Sequence, residues 1–188
     1  MNRSARTTIL SLCINLAYAI GNIALGVVAS SVWFVTAGIY YLAIGVVRFV
    51  ALINMKKQES PRLLRFSGIA LMIVSIPLLA MVFLSAIRER GNHFHEILMI
   101  TIALYAFSKI TVAIINMCKA GKHSGDAMTV LVNVSLADAL VSIASLQRSM
   151  LLSFGELTAA DIRLFNILTG SGVCIIVFIL GLLLSKKA

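Results

Sequence analysis

Six apolar stretches divide the chain, at about 8–29, 31–54, 64–87, 96–118, 127–150 and 164–185, with short polar segments between them. Each stretch is close to the roughly 20 apolar residues that one helical crossing of a bilayer requires. Some, such as Val173 to Ile179, are rich in strand formers. In lipid, however, an isolated segment satisfies its own backbone amides only as a helix. The pattern therefore predicts six membrane-spanning helices. The breaks around Lys56–Arg62, Arg88–His93, Lys119–Asp126 and Phe154–Arg163 are charged, whereas the one from Gly26 to Ser31 is not. Helices one and two are thus expected to form a tight hairpin.

Composition supports this reading and narrows it. Of 188 residues, 60% are hydrophobic and 12% charged, and the mean hydropathy is +1.01. A soluble domain is about 45–50% apolar and about 25% charged, so a water-soluble globule is excluded, and so is disorder. The expected fold is an all-α membrane protein with one transmembrane domain over 1–188. Arg3 and Arg6 ahead of Ala17-Tyr18-Ala19 resemble a signal peptide. The apolar run continues past that point to about 29, which favours a retained first helix.

The net charge of +9 would suggest nucleic acid in a soluble protein; here it follows the positive-inside rule. With the N-terminus inside, Arg3, Arg6, Arg48, Lys56, Lys57, Arg62, Arg65, Lys119, Lys122, Lys186 and Lys187 lie on the cytoplasmic side. Arg88, Arg90, Arg148 and Arg163 lie opposite, and Lys109 is left inside helix four. The expectation is an N-in/C-in protein of the cell membrane, with the lipid bilayer as its partner and no nucleic acid. Cys13, Cys118 and Cys174 are scattered and read as small buried hydrophobes.

Polar residues at bilayer depth are functional candidates by default. Asn15, Tyr18 and Asn22 share one face of helix one, and Gly26 continues it. Helix two contributes Tyr40, Tyr41 and Arg48, the last close enough to the helix end to snorkel. Helix five contributes Asn133, Ser135, Asp138 and Ser142. Lys109 is about nine residues and Asp138 about eleven from the same membrane face, which at about 1.5 Å per residue puts them at nearly equal depth. An isolated charge there costs at least about 2.5 kcal/mol, so a Lys109–Asp138 ion pair is expected. The candidate cavity residues are Asn15, Tyr18, Asn22, Tyr40, Tyr41, Lys109, Asn133, Asp138 and Ser142.

The spacing Asn15, Asn22, Gly26, Ser31, together with Ser124 and the segment Leu136-Ala137-Asp138-Ala139-Leu140-Val141-Ser142, resembles the transmembrane domain of the cation diffusion facilitator (cation efflux) family. The resemblance implies a six-helix cation-efflux-like bundle and, by family analogy, a homodimer. It also implies a metal site of two His or Asp ligands from helix two and two from helix five. Those positions fall here on Tyr40, Ile44, Val134 and Asp138, and only Asp138 is a ligand. One carboxylate cannot hold a dehydrated divalent cation in a tetrahedral site, so no metal and no cofactor is expected. The family's cytoplasmic C-terminal domain has no counterpart in this sequence. His93, His95 and Glu96 could bind a surface metal, but an exposed turn is the simpler reading, as it is for His123.

The expectation for function is small-solute or proton-linked transport without the zinc site. One alternative is a non-transporting accessory or assembly subunit, with Gly21, Gly26, Gly38 and Gly45 allowing close helix approach. The other is the substrate-binding subunit of a vitamin uptake transporter, which shares length and span count. No Ser/His/Asp set, H-E-x-x-H motif, Gly-rich phosphate loop or paired carboxylates at depth is present, so an enzyme is not expected.

Overall fold

A computed structural model describes residues 3–28, 32–54, 60–87, 96–120, 125–154 and 158–188. They form six helices and, among the described residues, no strand: α1 (Arg3–Val28), α2 (Val32–Ile53), α3 (Pro61–Ile87), α4 (Glu96–Ala120), α5 (Asp126–Phe154) and α6 (Ala159–Lys186). Ser31, Ser124 and the three histidines lie outside the described residues.

α3, α5 and α6 start ahead of their apolar stretches because those ends are built from polar signals. Pro61 sits at the first helical position of α3, where its missing N–H costs nothing, and the amides of Leu63 and Leu64 donate to Ser60 O. Thr158 caps α6, its hydroxyl accepting from Asp161 N and donating to Asp161 Oδ2. That cap starts α6 five residues earlier than apolarity alone predicts and takes Asp161 and Arg163 into the helix. Asp126 opens α5 and accepts the Ser60 amide at 2.7 Å, which ties the starts of α3 and α5 together. α1 runs unbroken through Ala17-Tyr18-Ala19.

Four helices (α2, α3, α5 and α6) are long and apolar enough to cross a membrane. In α1 and α4 the apolar part is shorter, Leu12–Val28 and Ala103–Cys118. Large apolar side chains such as Val28, Ile76, Leu104 and Leu168 are exposed on the outside of the bundle. A lipid surround accounts for this where water would not.

Neighbours in sequence pair in space as α1 with α2 and α4 with α5, while α3 pairs with α6. The last pairing is made by glycines. A Cβ on Gly68 would lie 2.6 Å from Gly181 O, and one on Gly181 would lie 2.7 Å from Gly68 O, so the two backbones cross in direct contact. Gly170 likewise leaves room for Val82. Of the glycines expected to allow close helix approach, Gly38 fits tightly against Ile23 and Ala19 O, Gly26 is buried and Gly45 is loosely packed; Gly21 faces open space. Cys174 packs in the core, but Cys13 and Cys118 are exposed, contrary to the expectation of burial.

Candidate functional site

The core of α1, α2, α4 and α5 holds a charge cluster centred on Asp138, which is 0% exposed. Three donors converge on its Oδ2: Lys109 Nζ at 2.6 Å, Arg48 Nη2 at 2.7 Å and Asn15 Nδ2 at 3.3 Å. The expected Lys109–Asp138 pair is present. Arg48 does not snorkel: it is 1% exposed and turned into the core. Placement along each helix explains the convergence. Asn15 is twelve residues into α1, Asp138 twelve into α5 and Lys109 eleven before the end of α4, all about 16–18 Å from one end of the bundle. Arg48 starts only five residues before the end of α2, and its long side chain runs inward to reach the same oxygen. Its inward direction follows from the helix face: Tyr40, Ile44 and Arg48 repeat every four residues, and all three are buried.

Two cations share one carboxylate oxygen, so Oδ2 alone is met by more positive charge than it carries. Asp138 Oδ1 is buried with no hydrogen-bond partner among the described residues. Aromatic faces meet part of the excess. Lys109 Nζ lies 5.0 Å from the centre of the Tyr105 ring and 5.7 Å from that of Tyr41, a cation–π arrangement that contributes about 2 kcal/mol when desolvated.

All four tyrosines of the chain belong to this one assembly. Tyr18 stacks on Tyr105 at 3.6 Å and 9°, while Tyr41 meets Tyr18, Tyr40 and Tyr105 edge-on at 5.0, 5.2 and 5.7 Å. The Tyr105 hydroxyl donates to Asn15 Oδ1 at 3.4 Å, so Asn15 links the carboxylate to the aromatic stack. Seven residues after Lys109, Asn116 donates to Ser135 Oγ at 2.6 Å and makes a second polar tie between α4 and α5.

Among the described residues, the remaining candidates make no hydrogen bond to the Asp138 carboxylate. The amides of Asn22 and Asn133 donate to Tyr18 O and Thr129 O, one turn back on their own helices, and the Ser142 hydroxyl donates to Asp138 O. These local bonds satisfy a polar group in an apolar setting without a partner helix. Tyr40 packs in the core with its hydroxyl unpartnered among the described residues. Tyr105, Arg48 and Asn116 were the contributors that polarity alone did not single out as site residues. The signal was nonetheless present: Tyr105, Lys109 and Asn116 share a face of α4, at i, i+4 and i+11.

Chemically, the assembly opposes a metal cation. Among the described residues no three His, Cys, Asp or Glu side chains come together, and a cation approaching Asp138 would be repelled by the ammonium and guanidinium already on Oδ2. The side chains at Tyr40, Ile44, Val134 and Asp138 are all buried in the core, so these positions share the interior while three of them carry no ligand. Compared with protein-family models, with curated proteins and with solved structures, the chain matches none.

Proposed function

We propose that this chain is a six-span, N-in/C-in integral membrane transporter for a small solute, and that the Asn15–Arg48–Lys109–Asp138 cluster is its gate. The observation that carries the reading is a carboxylate oxygen shared by two cations at mid-depth, contributed to by four helices and closed to solvent in this conformation. Buried ion pairs add little net stability over well-packed apolar residues, so a clamp that only held helices together would not need two cations on one carboxylate oxygen. Charged groups within membrane helices mark pathways and relays. Lys109 is the moving partner in this scheme: releasing it leaves a neutral Arg48–Asp138 pair, whereas releasing Arg48 exposes a group that cannot lose its charge.

The cation-efflux resemblance enters at the same level. Four core positions at the spacing of that family's ligand set, with one carboxylate retained and two basic groups added, support a degenerate relative that has exchanged metal binding for other cargo. With Arg48 set aside because it turns into the core, the orientation rests on ten basic residues assigned to the N-terminal side against four opposite.

A second reading, a non-transporting accessory subunit, is favoured by the dryness of the site. Arg48, Lys109 and Asp138 are at most 3% exposed. Ser142→Cys, one turn from Asp138 and made with the three native cysteines replaced, separates the two. In membrane vesicles a transporter that opens exposes this level to water, so a membrane-impermeant thiol reagent labels it from one face. Protection from both faces over hours would overturn the transport reading and leave the accessory one.

A further inference from the structure

We propose that the basic end of the α3–α6 pair holds the phosphodiester headgroup of an anionic phospholipid. The Gly68–Gly181 crossing brings the two helices into backbone contact. Beyond it, the start of α3 and the end of α6 bound an open groove of about 260 Å³, lined by Pro61, Arg62, Arg65, Ser185 and Ala188.

Arg62 and Arg65 are three residues apart and so share a face of α3. Both are exposed, and neither forms an ion pair among the described residues. Exposed Lys186 and Lys187 adjoin Ser185. The carboxylate tied to this end, Asp126, is already engaged by the Ser60 amide. Among the described side chains, four basic groups around the groove thus meet one carboxylate. A guanidinium presents a planar fork that matches phosphate oxygens two at a time.

The surroundings favour a lipid over free phosphate. Within about two turns inward from the groove, Phe66, Ile69, Leu182 and Leu183 are exposed on the same two helices. They offer apolar surface to acyl chains at the depth where a headgroup's own tails would lie. Basic pockets between membrane helices next to an anionic leaflet recognise headgroups by this combination.

The test is native mass spectrometry of the full chain released from mixed phosphatidylglycerol and phosphatidylcholine nanodiscs. One phosphatidylglycerol is expected to stay bound where phosphatidylcholine does not. Arg62→Gln/Arg65→Gln is expected to weaken its retention about 30-fold, from about 1 kcal/mol per basic residue. Asp161→Asn, at the opposite end of α6, should leave retention unchanged. Equal retention of the two lipids would overturn the proposal, as would full phosphatidylglycerol binding by the double variant. Displacement of the lipid by millimolar inorganic phosphate would show that the groove takes a free anion and would overturn the lipid assignment.

Discussion

The two halves of this bundle are held together by opposite means. α3 and α6 pair through absence: glycines remove side chains until the backbones touch, and the surrounding contacts are apolar. α1, α2, α4 and α5 pair around charged and aromatic groups concentrated at one level. Close packing gives a fixed interface with one good arrangement, since interiors resist both gaps and added volume. A shared carboxylate offers alternatives, because donors can be exchanged at one acceptor for little free energy. Under the transport reading proposed above, α3–α6 would serve as the rigid frame and the charged four-helix group as the part that rearranges.

The comparison is broken most severely at Asp138. Asp138→Ala strands two buried cations, and losing one partner of a buried pair costs about 3–5 kcal/mol. The variant is expected to lose most of its resistance to denaturant in detergent, read by circular dichroism. On the frame side, Gly181→Leu places a side chain where Gly68 O and Met72 lie. A loss of about 1–3 kcal/mol is expected from overpacking. Gly172→Ala, which meets nothing within 4 Å, should change stability little; equal effects of the two substitutions would refute the backbone crossing.

Lys109→Met is expected to cost much less than Asp138→Ala, because it leaves a neutral Arg48–Asp138 pair. Combined with Asp138→Asn, its effect should fall short of the sum of the two singles. Additive losses would show that the pair does not interact. The smallest expected effect is Asn116→Leu, which removes an interhelical hydrogen bond of about 0.6 kcal/mol. A loss several times larger would place the α4–α5 tie at Asn116 rather than at Lys109.

Much of this could be read from the residues in order. Helix number and approximate ends followed from apolar run length. The equal depth of Lys109 and Asp138 followed from residue counts, and their pairing from the cost of an isolated charge. Asn15, Tyr18 and Asn22 were correctly placed on one face, but only the first two reach the cluster. Arg48 was misread because its distance from the helix end permits snorkelling, and distance says nothing about which way the face turns. The early start of α6 was hidden because capping by Thr158 is polar and local, while the prediction followed apolarity.

The sequence by itself determined the number of helices and their approximate positions, the charge bias between the two ends and the position of each polar group along its helix, all of which depend on spacing along one segment. Only the tertiary structure decided which faces meet. It set Tyr105 against Tyr18, turned Arg48 toward Asp138 and laid Gly68 on Gly181. A helix's periodicity fixes the direction of its side chains relative to its own axis. The partner each one finds depends on the rotation and neighbours of other helices, and those are chosen by the packing of the whole bundle.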